Sequence, residues 1–290
     1  MGRLQGVYTA LVTPFGRSGV LRLREVPTLL EFQRKAGVEG VVVGGTNGEG
    51  VSLSVTERKR LLETVLASKG DLEVIAATGA SALPDAVALT RHATRCGVDA
   101  VLVLPPFYYK NVTLEGVATY FRAVAAAAGV PMILYSIPQF SCVPINLPLM
   151  ERLRTVPGIV GVKESSPETR LCMSFLRERP DLKIFVGNDL YLAELLQAGA
   201  CGVISGTANA FPELIVDVAR AVKEGGDAQA AQQRLNSAIS VLSEYPIVGA
   251  AKTVLETRHV ARLGVRAPLV MPDARGRRTM LRNLRKLGVL

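Results

Sequence analysis

Short runs of aliphatic and β-branched residues alternate along the chain with stretches whose apolar positions recur every three or four residues. The apolar runs fall at 7–14, 40–46, 73–78, 100–105, 132–137, 159–163, 183–187 and 202–207, and they predict eight strands. Helical periodicity is clearest at 56–66 and 84–94, between strands two and three and strands three and four. Ser81, Thr113 and Ser166 are candidate helix N-caps, and Gly37, Gly97, Gly129 and Gly199 mark helix ends just before the next strand. Strands that read as continuous Val/Ile/Leu runs are buried on both faces, which is the habit of a parallel sheet. Eight strand–helix units in succession predict an α/β fold, a closed (β/α)8 barrel of the TIM type. The rival, an open doubly wound sheet, would carry G-x-G-x-x-G after its first strand, and Thr13-Pro14-Phe15-Gly16 does not supply it. Beyond an eighth helix near 212–224, helical stretches at about 227–244, 247–262 and 277–287 predict a small C-terminal helical domain. The expected division is a barrel with the active site over 1–224 and a helical domain over 225–290.

Reactive groups in such barrels gather at the carboxyl ends of the strands. Strand six ends Ile159-Val160-Gly161-Val162-Lys163-Glu164, strand five carries Tyr135, and strand two runs into Gly44-Gly45-Thr46-Asn47-Gly48-Glu49. A lysine at an inner strand end is costly to bury charged. It is either paired, with Glu164 or a loop acid, or neutral and put to chemical use. Desolvation favours the neutral amine, which attacks a ketone to form an imine, and the imine is an electron sink for breaking or making the adjacent carbon–carbon bond. Tyr135 on the neighbouring strand is placed to shuttle the substrate hydroxyl's proton, with Thr46 as a next link. Read structurally, Tyr135 is a core residue with its hydroxyl satisfied by backbone. The glycine-rich turn offers backbone amides to a carboxylate, and it is no phosphate loop because the Gly-Lys-Ser/Thr ending is absent. Asn188 and Asp189, after strand seven, either line the pocket or simply turn the chain.

Composition narrows the class. At 290 residues, 49% hydrophobic and 20% charged, the chain can bury a large core. No apolar run approaches the roughly 18 residues of a membrane span, and the first seven residues lack a signal-type segment, so a cytoplasmic enzyme with no membrane partner is expected. Cys96, Cys142, Cys172 and Cys201 are scattered without C-x-x-C spacing. With His92 and His259 the only histidines, no metal-ligand cluster is recognisable, and both histidines fall on predicted helices away from the strand ends. The net charge of +9 is concentrated in residues 258–290, which hold nine Arg or Lys against one acid, Asp273. That tail lacks interleaved aromatics or a recognition fold. It reads as the solvated face of terminal helices paired with acids elsewhere, not as a nucleic-acid partner.

A longer set of motifs then carries a resemblance. Thr13-Pro14-Phe15, Gly45-Thr46-Asn47-Gly48-Glu49, Pro105-Pro106-Phe107-Tyr108-Tyr109, Tyr135-Ser136-Ile137-Pro138, Gly161-Val162-Lys163-Glu164-Ser165, Gly187-Asn188-Asp189 and Gly202-Val203-Ile204-Ser205-Gly206-Thr207-Ala208-Asn209 occur in order over residues 5–215. In this the chain resembles the pyruvate-dependent class I aldolases typified by dihydrodipicolinate synthase and N-acetylneuraminate lyase. The resemblance implies a barrel with a C-terminal helical domain, assembled as a homotetramer and needing neither metal nor organic cofactor. It implies that Lys163 is the Schiff-base lysine and Tyr135 the acid/base. Gly45, Thr46, Asn47, Ile204 and Gly206 are implied to bind substrate, its carboxylate held by the turn at Thr46 and Asn47, with Tyr109 reaching into a neighbouring subunit's site.

Three departures bear on the substrate. The synthase motif Tyr-Asn-x-Pro-x-Arg-Thr-Gly places an arginine where this chain has Phe140. Losing that charge-assisted contact removes on the order of 1.5 to 3 kcal/mol of binding to an anion. Asn47 stands where that branch has a second threonine, and the lyase's acidic pair falls on Asp189 and Leu190, so only half survives. The expectation is an aldolase that cleaves or forms a 4-hydroxy-2-oxo acid, such as a 2-keto-3-deoxy sugar acid or 4-hydroxy-2-oxoglutarate, exchanging pyruvate and an aldehyde. The alternatives are the synthase itself, condensing pyruvate with aspartate semialdehyde and using Arg17 or Arg170 in place of the missing arginine, and a non-catalytic sugar-acid binding module.

Overall fold

The computed structural model describes residues 4–290. Strands β1 (Gly6–Ala10), β2 (Gly40–Val43), β3 (Glu73–Ala77), β4 (Ala100–Val103), β5 (Met132–Ser136), β6 (Ile159–Glu164), β7 (Lys183–Val186) and β8 (Gly202–Ser205) pair in parallel and in sequence order, and β8 closes on β1. Each strand starts within one residue of its expected position, and all but β6, which runs one residue further to Glu164, stop earlier than the apolar run, because the last residues of those runs leave the ladder to build the loops of the barrel mouth.

The outer ring is formed by helices α1 (Val26–Lys35), α2 (Val55–Ser68), α3 (Leu83–Arg95) and α4 (Leu114–Ala125), then the short α5 (Pro138–Ser141) and α6 (Leu147–Arg152), and by α7 (Arg170–Glu178), α8 (Leu192–Gln197) and α9 (Pro212–Glu224). Thr113 caps α4, accepting from the amide of Gly116 at 3.1 Å. Ser81 and Ser166 do not cap: α3 begins after Ala82, with Pro84 in its first turn, and Ser166 instead donates its amide to Glu164 at 2.9 Å. Gly37, Gly97 and Gly199 take positive φ after their helices, whereas Gly129 does not.

Side chains sort onto two faces of the barrel. Tyr8, Val42, Ile75, Leu102, Ile133 and Phe185 fill its interior, while a larger cluster including Val7, Val41, Val74 and Val101 packs outward on the helices. Among the described residues no single helix is long and apolar enough to cross a membrane.

Three further helices follow, α10 (Ala228–Ser243), α11 (Ile247–Thr257) and α12 (Ala274–Lys286). α11 ends earlier than the periodicity suggests, and His259 lies just past it in left-handed backbone, φ 56°, not on a helix. α12 begins three residues early because Asp273 accepts from the amide of Gly276 at 2.6 Å. Four of the basic tail residues pair with acids: Arg258 with Glu213, Arg262 and Arg277 with Glu256, and Arg266 with Glu57.

α11 is tied to the barrel by a fully buried ion pair between Lys252 and Glu49 of the turn after β2. Lys252 also donates to the carbonyl of Gly264 at 2.7 Å, and the amide of Arg266 donates to Glu49 at 2.8 Å. Arg266 meets Glu57 with two bonds of 2.8 and 2.9 Å, its guanidinium 4.4 Å from the centre of the Phe15 ring. Removing one member of a buried pair leaves an uncompensated charge. Lys252→Met is therefore expected to destabilise the protein by about 3 to 5 kcal/mol, and Glu49→Gln combined with it to restore part of that, as read from urea unfolding midpoints. Arg266 holds the Glu57 carboxyl down at about 2, against an ordinary 4.5. A depressed carboxyl contributes stability that is complete above its unfolded value and lost as pH falls through its folded one. Glu57→Gln, which keeps the capping geometry with Ser54, should cost about 1 to 2 kcal/mol at pH 7. Its deficit should shrink below pH 4.5 and vanish near pH 2 in acid titrations of stability.

Candidate active site

The pairing of β5 with β6 breaks register once: Met132 faces Ile159, but the next residue, Ile133, faces Gly161, so β6 carries one extra residue. Without that bulge Tyr135 would sit opposite Val162. With it, Tyr135 sits opposite Lys163, and both side chains point into the barrel while Val162 packs outward. Gly161 permits the close approach to β7, since a Cβ there would lie 2.2 Å from the carbonyl oxygen of Lys183.

Lys163 is 4% exposed, with Nζ 4.1 Å from the centre of the Tyr135 ring. Among the described residues no carboxylate forms an ion pair with that nitrogen. Glu164, next along the strand, points the other way, as strand neighbours must. It accepts from the hydroxyls of Ser136 and Ser166 and from the Ser166 amide, and burial pushes its carboxyl up from the usual range. The pairing of Lys163 with Glu164 is thus not formed. The Tyr135 hydroxyl in turn lies 3.4 Å from Thr46 Oγ1.

The turn after β2 is held by its own backbone and by the core. The Glu49 amide donates to Thr46 O and the Gly50 amide to Gly45 O, both at 3.0 Å, and the Thr13 hydroxyl donates to Gly48 O. The amides of Thr46 and Asn47 have no acceptor among the described residues, and they are free for an anion. Asn47 packs against Gly206 of the β8 loop, where an added Cβ would lie 2.5 Å from Asn47 Nδ2.

Lys163, Tyr135, Gly45, Thr46, Asn47 and Gly206 line one cavity of about 710 Å³ at the carboxyl ends of the strands. Two expected residues do not line it. Ile204 is fully buried inside the barrel, and Tyr109 is 73% exposed, edge-on to Tyr108 at 5.3 Å, away from this chain's own Lys163. Asp189 does line it: its Oδ2 accepts from the Ser205 hydroxyl at 2.7 Å and the Thr207 amide at 3.3 Å, while its Oδ1 has no partner. Burial pushes the Asp189 carboxyl up, opposed by those hydrogen bonds and by the charge of Lys163. Arg58 of α2 also reaches the wall, where burial lowers its guanidinium to about 10. It donates to Ala77 O at 2.6 Å and Gly79 O at 3.1 Å, leaving Nε unpartnered. Sequence reasoning missed Arg58, whose only signal was a cation in the first turn of the helix after the glycine-rich loop.

Neither Arg17 nor Arg170 lines the cavity. Away from it, potential ligand atoms of Glu63, His92 and Cys96 lie within 4.8 Å of one another between α2 and α3. Spacing along the chain could not reveal this group because Glu63 comes from a different helix.

A family model described as the dihydrodipicolinate synthetase family matches residues 3–287. A protein of Chloroflexus aurantiacus called an uncharacterized DapA-like lyase is 38% identical over 93% of this chain and 92% of its own length. An N-acetylneuraminate lyase of an Enterobacter species is 34% identical over 87% of this chain and 86% of its own. The crystal structure of the chloride-inhibited dihydrodipicolinate synthase of Acinetobacter baumannii complexed with pyruvate superposes with a TM-score of 0.93 at 27% identity, covering 99% of this chain and 100% of that one.

Gly206→Ala should push Asn47 out of the turn while leaving the barrel intact. The pyruvate concentration for half-maximal borohydride trapping is expected to rise about tenfold, with an unchanged far-ultraviolet spectrum, as for the loss of one hydrogen bond to an anion. An unchanged concentration dependence would remove Asn47 from the binding site.

Proposed function

This chain belongs to the dihydrodipicolinate synthetase family and is a lyase of the pyruvate-dependent aldolase type, and from that premise we propose that it cleaves or forms a 4-hydroxy-2-oxo acid through an imine on Lys163. The observation that carries the proposal is Lys163 Nζ, buried without an acid partner and 4.1 Å from the Tyr135 ring.

The substrate carboxylate sits on the amides of Thr46 and Asn47, bringing C2 to Nζ. The amine adds to C2 and water leaves, giving the protonated imine. Tyr135 takes the proton of the C4 hydroxyl, the C3–C4 bond breaks, and its electron pair moves through C3–C2 to the imine nitrogen. The aldehyde departs. The enamine is protonated at C3, and water returns to C2 to release pyruvate and free Lys163. The imine nitrogen is the electron sink, so the scheme calls on neither metal nor organic cofactor. Asp189, tied to Ser205 and Thr207, fixes the β8 loop beside the reacting carbons. Pyruvate as the shared component is supported by the pyruvate complex of the A. baumannii relative.

The proposal includes a homotetramer acting in the cytoplasm, in which the exposed Tyr108–Tyr109 pair is covered by a second copy and Tyr109 extends that copy's Thr46–Tyr135 relay. A second reading, condensation of pyruvate with aspartate semialdehyde, is favoured by Arg58, a second cation among the residues lining the cavity. A coupled assay with the semialdehyde separates the two readings.

Sodium borohydride in the presence of pyruvate should add the mass of a reduced pyruvyl group to one peptide, the one containing Lys163. Tyr135→Phe should retain the adduct and lose at least a hundredfold in carbon–carbon cleavage, the usual scale of a general acid/base. Absence of the adduct, or its appearance on another lysine, contradicts the proposal.

A further inference from the structure

We infer that the aldehyde half of the substrate is uncharged and apolar, with an aryl or branched alkyl group on C4, so that the products are pyruvate and an apolar aldehyde. This rests on the imine reading of the same site and names its substrate class.

The cavity divides into two chemically different parts. Near Lys163 it is polar, with Tyr135, Thr46, Asn47 and Asp189 accounting for the carboxylate, the keto carbon and the C4 hydroxyl. Farther out, Ile137, Phe140, Leu190, Ile247, Val248 and Leu269 form the wall. They come from four separate parts of the chain: the β5 loop, the turn after β7, α11 and the segment before α12. Four exposed large apolar residues, Phe140, Leu190, Ile247 and Leu269, therefore converge on the outer part of one opening.

Most of the polar side chains interspersed among them are engaged, the buried Ser165 hydroxyl being an exception without a partner. Gln139 Nε2 donates to Ser165 O at 2.8 Å and Asn188 Nδ2 to Ser166 O at 3.2 Å. The Ser141 hydroxyl donates to backbone carbonyls of its own loop, and Glu49 is consumed by Lys252. A polyhydroxylated tail needs a partner for each hydroxyl it buries, and beyond Ser165 and Asp189 this wall is mostly apolar. An anionic tail needs a cation, and Phe140 instead presents an uncharged ring to this part of the cavity. Arg58 is the one cation besides Lys163 among the described lining residues, and two carbonyls hold it on the β3 side. Apolar walls with a few polar groups at the reacting end orient a substrate by its head and select it by the shape of its tail.

The bonds balance without a further reactant. The C3–C4 bond breaks, its electron pair becomes the C2–C3 double bond of the enamine as the imine π pair moves to nitrogen, the C4 hydroxyl proton passes through Tyr135 and on to C3, and C4 leaves as the aldehyde carbonyl.

The test uses the intact protein. Borohydride trapping with pyruvate is done first and establishes the imine independently. Aldol addition of pyruvate is then measured, by product mass, with benzaldehyde and 2-methylpropanal, with glyoxylate and succinic semialdehyde, and with glyceraldehyde. The expected result is a kcat/KM at least tenfold higher for the apolar pair than for the other three. Phe140→Arg, at an exposed position, should reverse the order between benzaldehyde and glyoxylate. If the adduct forms but anionic or hydroxylated aldehydes react as well or better, or no apolar aldehyde reacts, the apolar tail is wrong and the imine stands. A loss of glyoxylate turnover in Arg58→Gln would then assign the anion to Arg58. If no adduct forms, both readings fall.

Discussion

One extra residue in β6 decides where the amine of Lys163, without an ion-pair partner among the described residues, points. A regular strand starting from the Met132–Ile159 pairing would turn Lys163 outward, toward the helices, and bring Val162 inward. The bulge across Ile159, Val160 and Gly161 exchanges them, and the rest of the site follows from that exchange. Tyr135 becomes the direct neighbour of Lys163, Glu164 is sent to the serine side, and the closed sheet keeps both lysine and tyrosine at fixed positions. Placing a reactive side chain on a strand rather than on a loop gives it precision, because its rotation is limited by packing on both sides.

The second support lies outside the barrel. Glu49, in left-handed backbone at φ 53°, ends the turn that presents the amides of Thr46 and Asn47. Its carboxylate is held by Lys252 of α11 and by the amide of Arg266, so the C-terminal helices position the turn from behind. A buried ion pair adds little net stability when compared with an apolar replacement, but it fixes a geometry. The geometry fixed here is that of the proposed carboxylate cradle. The same α11 contributes Ile247 and Val248 to the outer wall, so one helix both braces the cradle and shapes the far end of the cavity.

The order of strands and helices was legible because a parallel barrel imposes continuous apolar runs and regular helix periodicity, and tertiary context had little to override. The same continuity hid the bulge: Ile159-Val160-Gly161-Val162 has no alternation from which an extra residue could be recognised. Lys163, Tyr135 and Thr46 were legible as strand-end residues, and the structure gathers them. Within Gly202-Val203-Ile204-Ser205-Gly206 the alternation sends the Ile204 side chain into the barrel and leaves Gly206 at the cavity. Arg58 and the Glu49–Lys252 pair were not legible because they depend on which loop meets which helix, over separations of up to 203 residues.

The central claim is that the bulge aims the Lys163 amine at the keto carbon of a bound 2-oxo acid. It is tested most directly by a crystal structure of the protein grown with pyruvate. Continuous density from Lys163 Nζ to C2 of the ligand, with the carboxylate on the amides of Thr46 and Asn47, is the predicted result. An unmodified Lys163, with pyruvate bound elsewhere or not at all, would contradict the account.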